Sequence, residues 1–327
     1  MPSIGLIACD HGFGHIRRLI QIGNELVRRG VAVTLFAPAE ISARLRPDPS
    51  IVVADLRAGT TPESLRRGDA SAWVKRLPPI DSFDLVVSDN LPEVLAVRDD
   101  VVLSGTFLWH LVVDVDAGLH RATEAVLARH RPRMIGSRVF CMPTLAERTS
   151  LLEVGLYADE VRPEAAGADL MVTCGGTAAM QEPFRELIET LATGPRPPFP
   201  VVWVEPRLVP SNAPPWMRPA TFELAMYREL LAVVCRAGVG TLTDCAWAQA
   251  RAFMTAEAGN AELAFNSQQF VELGIGEATA TPLAAYRAAC AFHGGQVARN
   301  EHARAVATLD FNGATQSADL LMTLANR

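Results

Sequence analysis

Two short glycine-rich stretches carry the residue types that could do chemistry. The first, at residues 10–18, reads Asp-His-Gly-Phe-Gly-His-Ile-Arg-Arg and follows an apolar run. His15 falls in the first turn of a predicted helix, whose partial positive charge disfavours an imidazolium and keeps the ring neutral. A neutral imidazole can accept a proton from an acceptor hydroxyl or from water, so His15 is a candidate general base. Asp10 and His11 are rivals, since Asp10 could be the base itself or hold a histidine tautomer. A histidine that caps its own helix is the structural alternative.

The second stretch, at residues 235–244, reads Cys-Arg-Ala-Gly-Val-Gly-Thr-Leu-Thr-Asp and lies between two apolar runs. This order predicts a strand, a glycine turn and the first turn of a helix, whose unpaired N–H groups suit a phosphate or diphosphate. Gly238 and Gly240 lack a Cβ and so let a ligand come close. Thr241 adds a hydroxyl, and Asp244 adds a carboxylate that can accept two sugar hydroxyls. An ordinary strand-to-helix turn with Thr241 as its cap is the alternative.

These stretches and a downstream segment resemble nucleotide-sugar glycosyltransferases of the GT-B fold, especially the MurG-like group (glycosyltransferase family 28-like). The pattern in that group is roughly Arg-Ala-Gly-x-x-Thr-x-x-Glu, followed by Glu-Gln-x-x-Asn-Ala and a Leu-Gly pair. Residues 236–244 match the first element, with Asp244 at its acidic position, and Glu262 and Asn266 match the second. Residues 12–18 match a GxGHxxR pattern, which is also similar to that of sugar-nucleotide hydrolases of the same fold.

The resemblance implies a donor site for a nucleoside-diphosphate sugar. It implies that the glycine turns approach the phosphates and that the segment starting near Phe222 contacts the nucleobase through its main chain. Asp244 would accept ribose hydroxyls, and Glu262 and Asn266 would face the sugar; Arg236 would add charge or pair with an acid at the strand end. A helix-core position is the alternative for Phe222. The implied donor-binding residues are Gly14, Gly175, Gly176, Thr177, Phe222, Arg236, Gly238, Gly240, Thr241, Asp244, Glu262 and Asn266.

The implied reaction is an inverting transfer of the sugar to the hydroxyl of a small or lipid-linked acceptor. Fixed N–H dipoles can neutralise a leaving diphosphate, so neither a metal nor a cofactor is predicted. Uridine is the expected base, and thymidine is its rival. Two alternatives stay open: a nucleotide-sugar hydrolase that uses water, and a non-catalytic nucleotide-sugar-binding partner subunit. Leu263 motivates the second, because it stands where the family commonly has a sugar-binding glutamine.

Composition narrows the class of protein further. The 327 residues suggest two domains, and 49% hydrophobic residues are ample for two cores. The net charge of −6, with arginines interleaved among acids, gives no sign of a nucleic-acid binder. The six cysteines form no CxxC pair, so neither a disulfide framework nor a zinc site is expected. No apolar run approaches the roughly 20 residues that span a bilayer, so a cytoplasmic location is expected, with peripheral membrane contact left open.

The elements that must position these residues alternate as strand, glycine turn and helix. That order predicts an α/β fold of two Rossmann-like domains that face a cleft, with ligands at the carboxyl ends of parallel strands. The predicted boundaries are an acceptor-side domain at residues 1–150, a linker at 151–167 and a donor-binding domain at 168–327.

Three further residues of the N-terminal half are weaker candidates. Asp89 ends the predicted strand 84–89, where it could lie beside the acceptor cleft or cap the next helix. Trp109 and His110 could line the acceptor side, although a buried aromatic cluster explains them as well. The remaining pattern predicts a last short strand at 138–142 and a helix at 221–232.

Overall fold

The structure is a computed structural model that describes residues 1–158, 162–175, 180–255, 257 and 259–326. Contacts divide the chain into two compact units. The first unit comprises Met1–Ala158 and Asp310–Arg327, and the second comprises Asp159–Leu309. Each unit is a wholly parallel sheet with helices packed against it, which confirms the predicted α/β class and two Rossmann-like domains.

The first unit contains a seven-stranded sheet. Its strands are β1 (Ser3–Ile7), β2 (Ala32–Ala37), β3 (Val52–Asp55), β4 (Leu85–Asp89), β5 (Val102–Ser104), β6 (Arg133–Ser137) and β7 (Ser150–Val154). Their order across the sheet is β3-β2-β1-β4-β5-β6-β7. The strand order reverses between β1 and β4, and ligands of open α/β sheets bind beside such a reversal, at the carboxyl ends of the strands.

Seven helices belong to the first unit within the described residues. They are α1 (Phe13–Arg28), α2 (Ala39–Leu45), α3 (Pro62–Arg67), α4 (Trp109–Val112), α5 (Ala117–His130), α6 (Thr144–Arg148) and α13 (Gly313–Ala325). Helix α1 buries Ile16, Leu19, Ile20 and Leu26, which recur at helical spacing and therefore form one apolar face. Alternate residues of β1 belong to two separate hydrophobic cores, so both faces of the strand are covered.

The second unit contains a six-stranded sheet. Its strands are β8 (Asp169–Thr173), β9 (Val202–Val204), β10 (Met217–Pro219), β11 (Leu230–Arg236), β12 (Arg251–Thr255) and β13 (Gly276–Thr279), in the order β10-β9-β8-β11-β12-β13. Its helices are α7 (Gln181–Thr193), α8 (Leu224–Arg228), α9 (Val239–Trp247), α10 (Ala261–Glu272), α11 (Pro282–Gly294) and α12 (Gln296–Val306). The strand order reverses here between β8 and β11, so the turns that follow these two strands lie side by side.

The domain boundaries differ from the predicted ones in two places. Residues 150–154 form β7, the last strand of the first sheet, rather than the start of a linker. Helix α13 packs against α1 in the first unit, although the sequence places it at the end of the second. The hydroxyl groups of Tyr157 and Ser317 are hydrogen-bonded at 2.9 Å, which ties α13 to the first unit. A local pattern gives no signal for such a return.

Two predicted elements are wrong. The expected strand at 138–142 is a turn, because β6 ends at Ser137 and the chain folds back there through short-range hydrogen bonds. The expected helix at 221–232 is only α8 over Leu224–Arg228, and β11 begins at Leu230. The first six residues of β11, at 230–235, are buried and apolar. A short apolar run does not distinguish a strand from a buried helix.

Among the helices that the structure describes, none is both long enough and apolar enough to cross a bilayer.

Candidate active site

The turn after β1 places His15 at the start of α1. Gly12 precedes the helix with φ 90°, a backbone conformation that favours glycine. No described atom lies within 4 Å of the position that a Cβ would take at Gly12 or at Gly14. The turn therefore leaves open space in front of its backbone, as a site for a ligand requires.

His15 is bound to a carboxylate. Its Nδ1 lies 2.7 Å from Oδ1 of Asp89. Because an ionised carboxylate only accepts hydrogen bonds, the Nδ1 atom must donate, and the other ring nitrogen, Nε2, is left as the proton acceptor. The histidine therefore does not cap its own helix, and its tautomer suits a general base.

Asp89 is shared between His15 and a buried arginine. Nε and Nη2 of Arg18 donate to Oδ2 of Asp89 at 2.9 and 2.7 Å, and Nη2 also reaches Oδ1 at 2.8 Å. Asp89 is fully buried and Arg18 is 7% exposed. Burial alone would lower the pKa of Arg18, but the Asp89 carboxylate outweighs that effect and raises it. The carboxylate is thus held in one position by Arg18 and His15.

The topology explains why these residues meet although Asp89 lies 74 positions beyond His15. Asp89 is the last residue of β4, and β4 pairs directly with β1. The carboxyl ends of neighbouring parallel strands lie at one edge, so a strand-end carboxylate comes beside the helix that follows β1. Of the two roles considered for Asp89, the structure rules out a cap on the next helix, because its side chain binds α1.

Asp10, the rival base, is engaged elsewhere. Both of its carboxylate oxygens accept from the backbone N–H of Gly59 at 3.0 Å. Asp10 therefore anchors the loop that contains Gly59, and the histidine tautomer is held by Asp89 instead. The role of Asp10 as a base stays a prediction.

Aromatic rings form a wall beside His15. The Trp109 ring lies 5.9 Å from the ring of His15 and 5.2 Å from that of His11, and Phe107 packs against Trp109 at 4.8 Å. Trp109 is 9% exposed, so this is the buried aromatic cluster that the sequence allowed. His110 contacts a carboxylate instead of the aromatic rings beside His15, since its Nε2 lies 2.9 Å from Oε1 of Glu124.

In the second unit, the turn between β11 and α9 presents backbone rather than side chains. Gly238 is the N-terminal cap residue of α9, and no side chain caps this helix start within the described part of the chain. Thr241 as a cap is therefore wrong. No described atom lies within 4 Å of a Cβ built at Gly238 or at Gly240. The first-turn N–H groups of a helix lack intrahelical partners, and no side chain fills the space at the two glycines. A helix start of this kind can bind phosphate groups.

Charged side chains brace this turn and its neighbour. Arg236 forms an ion pair with Glu257 at 2.5 Å. This agrees with one of the two roles predicted for Arg236, which was pairing with an acid near the strand end. Arg207 donates to the carbonyl oxygen of Gly175 and pairs with Glu205. Glu205 in turn accepts from the Cys174 N–H at 3.1 Å. The site residues predicted from the sequence did not include Glu205, Arg207 or Glu257, because no motif marks a charged side chain that braces a turn from another segment.

Asn266 supports the same turn from α10. Its Nδ2 donates to the carbonyl oxygen of Ala237 at 3.0 Å and lies 3.4 Å from Oε1 of Glu262. Asn266 is fully buried, and its Oδ1 has no hydrogen-bond partner in the described structure. The amide thus fixes the turn through a backbone contact, whereas its predicted contact with sugar hydroxyls stays a prediction.

The remaining predicted donor residues differ in accessibility. Asp244 is 5% exposed, and its contact with ribose hydroxyls stays a prediction. Phe222 is 44% exposed with φ 56°, and it precedes α8, so the helix-core alternative is wrong. A non-glycine residue in this backbone region is uncommon and often marks a functional turn. Gly176 and Thr177 lie outside the described residues.

Comparisons with known proteins bear on the fold. No protein-family profile matches the chain, and no curated protein matches it in sequence. Solved structures do match. A UDP-glucosyltransferase from Polygonum tinctorium, described as capable of glucosylating indoxyl, is 13% identical with a TM-score of 0.71, covering 100% of this chain and 99% of its own.

Two further solved structures match over similar lengths. LpCGTa, solved in complex with UDP, is 15% identical with a TM-score of 0.67 and covers 99% of both chains. MurG from Acinetobacter baumannii is 16% identical with a TM-score of 0.61, covering 99% of this chain and 100% of its own. At these identities the likeness shows a shared fold: the chain has the fold of the GT-B glycosyltransferases, MurG included, as the sequence resemblance predicted.

Proposed function

We propose that this protein is a glycosyltransferase that moves a sugar from a nucleoside-diphosphate sugar to an acceptor hydroxyl. The observation that carries the proposal is the 2.7 Å contact between His15 Nδ1 and Asp89 Oδ1. A buried carboxylate that orients an imidazole beside an open glycine turn is the arrangement of a general base. The fold supports the reaction class by analogy, because the same architecture is used by the glycosyltransferases that match it.

In the proposed step, Nε2 of His15 removes the proton of the acceptor hydroxyl. The acceptor oxygen attacks the anomeric carbon and forms the new glycosidic bond, while the bond from that carbon to the diphosphate oxygen breaks. The nucleoside diphosphate leaves with the electron pair of the broken bond. Asp89 stabilises the imidazolium that forms, and Arg18 holds Asp89 in place. A single displacement of this kind inverts the anomeric configuration.

The second unit would hold the donor. The N–H groups at the start of α9 would bind the diphosphate at Gly238, Gly240 and Thr241, and their fixed dipoles would stabilise the leaving group without rearrangement. Exposed Phe222 would contact the nucleobase. We propose UDP as the nucleotide, because LpCGTa was solved with UDP and the Polygonum tinctorium enzyme is named for it. We also propose that the protein acts in the cytoplasm and uses its nucleotide-sugar donor there.

The test is turnover of UDP-glucose, UDP-N-acetylglucosamine and dTDP-glucose by the purified protein. Release of nucleoside diphosphate is measured with and without a panel of phenolic, alcoholic and lipid-linked acceptors. Acceptor-dependent release, together with a product of inverted configuration by NMR, is the expected result. Release that is equally fast without any acceptor would identify a hydrolase. Binding without release under any condition would identify a non-catalytic nucleotide-sugar-binding subunit.

A further inference from the structure

Three potential metal ligands meet in the first unit, away from the His15–Asp89 pair. His110 lies in α4, and His120 and Glu124 lie one turn apart on α5. The ligand atoms of the three side chains all lie within 4.8 Å of one another, and His110 Nε2 is 2.9 Å from Glu124 Oε1. The two imidazole rings meet edge to face, with centroids 5.1 Å apart. Two helices thus direct three ligand groups to one point.

The types of these ligands suit a first-row transition metal. Two imidazoles and one carboxylate form the protein ligand set of zinc sites and of other divalent metal sites, and they leave room for water or a fourth ligand. With metal–ligand bonds of about 2.0–2.1 Å, neighbouring ligand atoms in a tetrahedral site lie roughly 3.3 Å apart. At 2.9 Å, His110 Nε2 and Glu124 Oε1 are hydrogen-bonded and slightly closer than that spacing, and all three ligand atoms lie within 4.8 Å of one another. Small side-chain rotations would bring the three atoms to the spacing that a metal requires.

The hydrogen bonding around the cluster leaves a ligand unused. Within the described part of the chain, the His120 imidazole makes no hydrogen bond, although it is held against His110. Glu124 uses Oε1 for both His110 and Arg148, whose Nε donates at 2.7 Å. Its second oxygen remains for a metal while Arg148 orients the carboxylate, as supporting residues of metal sites do.

The charges near the cluster are compatible with a cation. Arg148 is the one cation that contacts Glu124 among the described residues, and Glu147 pairs with it at 2.9 Å. With both histidines neutral, Glu124, Glu147 and Arg148 together carry one net negative charge. A divalent ion would therefore enter a site that already favours positive charge.

We propose that His110, His120 and Glu124 form a binding site for a divalent first-row transition metal ion, with Zn²⁺ as the ion of choice. The metal takes no part in the proposed sugar transfer. It ties α4 to α5 and so fixes the turn that holds Trp109, whose ring packs 5.9 Å from His15. No metal was predicted from the sequence, because fixed N–H dipoles can neutralise the leaving diphosphate and the cysteines form no CxxC pair. Ligands separated by ten and by four residues also follow no familiar motif.

The test measures metal binding without any sugar donor. Tag-free protein is stripped with a chelator, titrated with Co²⁺ while the visible absorption of the metal is recorded, and then titrated with Zn²⁺ by calorimetry. We expect one Co²⁺ per chain with an imidazole-ligated spectrum, displaced by one equivalent of Zn²⁺. Affinity should fall at least 100-fold in His120→Ala and in Glu124→Gln. His130→Gln, at the other end of α5, is the matched control and should bind like the parent.

Two results would overturn the proposal: the absence of stoichiometric binding, or binding that both His120→Ala and Glu124→Gln retain. Circular dichroism shows that each variant is folded, so lost affinity reports the site. Since no nucleotide is present, this outcome is independent of whether the protein transfers sugars.

Discussion

The two units build their candidate sites from different materials. The first unit uses buried, charged side chains: Asp89 is fixed by Arg18 and in turn fixes His15. The second unit uses backbone N–H groups at the start of α9, and its charged side chains only brace the turns. A side-chain site is sensitive to a change of functional group, whereas a backbone site is sensitive to added volume. Substitutions that remove a functional group or add volume therefore distinguish the side-chain site from the backbone site.

The largest effect is expected at His15. His15→Ala removes the proposed base, so kcat should fall about 10²–10⁴-fold. The affinity for UDP, measured by calorimetry, should stay within a factor of two, because no donor contact is lost. His293→Ala is the control, as it removes a partly buried histidine of the other unit. Equal losses of affinity and of kcat in His15→Ala would contradict the division of roles.

The opposite pattern is expected at Gly240. In Gly240→Val the new Cβ meets no described atom within 4 Å, so we expect the thermal midpoint to change little. The same side chain would occupy the space in front of the helix start, and the Kd for UDP should rise about 100-fold, or roughly 2.7 kcal/mol. Gly294→Val is matched, because its Cβ would also meet no described atom, at a helix end without a proposed ligand. Unchanged affinity in Gly240→Val would place the nucleotide elsewhere.

A smaller effect is expected at Asn266. Asn266→Ala leaves the buried carbonyl of Ala237 without its side-chain donor, at a cost of about 1–3 kcal/mol in the free energy of unfolding. The loosened turn should also weaken UDP binding by roughly tenfold. Gln268→Ala, on the exposed side of the same helix, should change both quantities little. If Asn266→Ala weakens binding without any loss of stability, Asn266 contacts the ligand directly rather than through the turn.

The remaining effects concern the pH dependence of stability, and the two units should respond in opposite directions. Burial raises the pKa of Glu93 in the first unit to about 7 from its usual 4.5, although the Trp73 indole donates to it at 2.8 Å. Between these values the unfolded chain has lost the proton that the folded chain keeps, so stability falls as the pH rises. Glu93→Gln should remove this loss, about 1–2 kcal/mol for a partly buried carboxyl.

In the second unit, burial lowers the pKa of His302 to about 4 from its usual 6.5, opposed by its hydrogen bond to the Gln249 carbonyl and aided by Arg251. Below pH 6.5 the unfolded chain gains a proton that the folded chain rejects, so stability falls as the pH falls towards 4. His302→Gln should remove this acid-side loss, about 2–3 kcal/mol. Hydrogen exchange read by mass spectrometry follows each unit separately. Parallel pH profiles in both units would refute this contrast.

The sequence predicts the parts of this molecule that are local in the chain. The glycine turns before α1 and α9 were readable from strand, glycine and helix signals that lie within about 20 residues. For Asp89 the sequence left two roles open, a place beside the acceptor cleft or a cap on the next helix. Its contact with His15 could not be predicted, because that contact depends on β4 lying next to β1. Sheet order brings distant residues together, and no local pattern records it.

Other features could not be predicted from the sequence, because they too depend on contacts between distant parts of the chain. Glu205, Arg207 and Glu257 brace turns from neighbouring segments, and each reads as an ordinary surface charge in sequence. Phe222 was expected in a helix at 221–232, yet it lies in the loop just before α8 and has a left-handed backbone. Helix α13 packs in the first unit through its buried residues. The sequence alone does not show which unit a helix joins.

The most direct test of the central claim is isothermal titration with UDP, dTDP and GDP of the parent protein, His15→Ala and Gly240→Val. We predict saturable binding of UDP by the parent, an affinity within a factor of two of it in His15→Ala, and a Kd about 100-fold higher in Gly240→Val. This result would assign nucleotide binding to the backbone of the second unit and leave His15 for catalysis. Binding of none of the three nucleotides by the parent protein would contradict the account, because the turn before α9 would then be only structural.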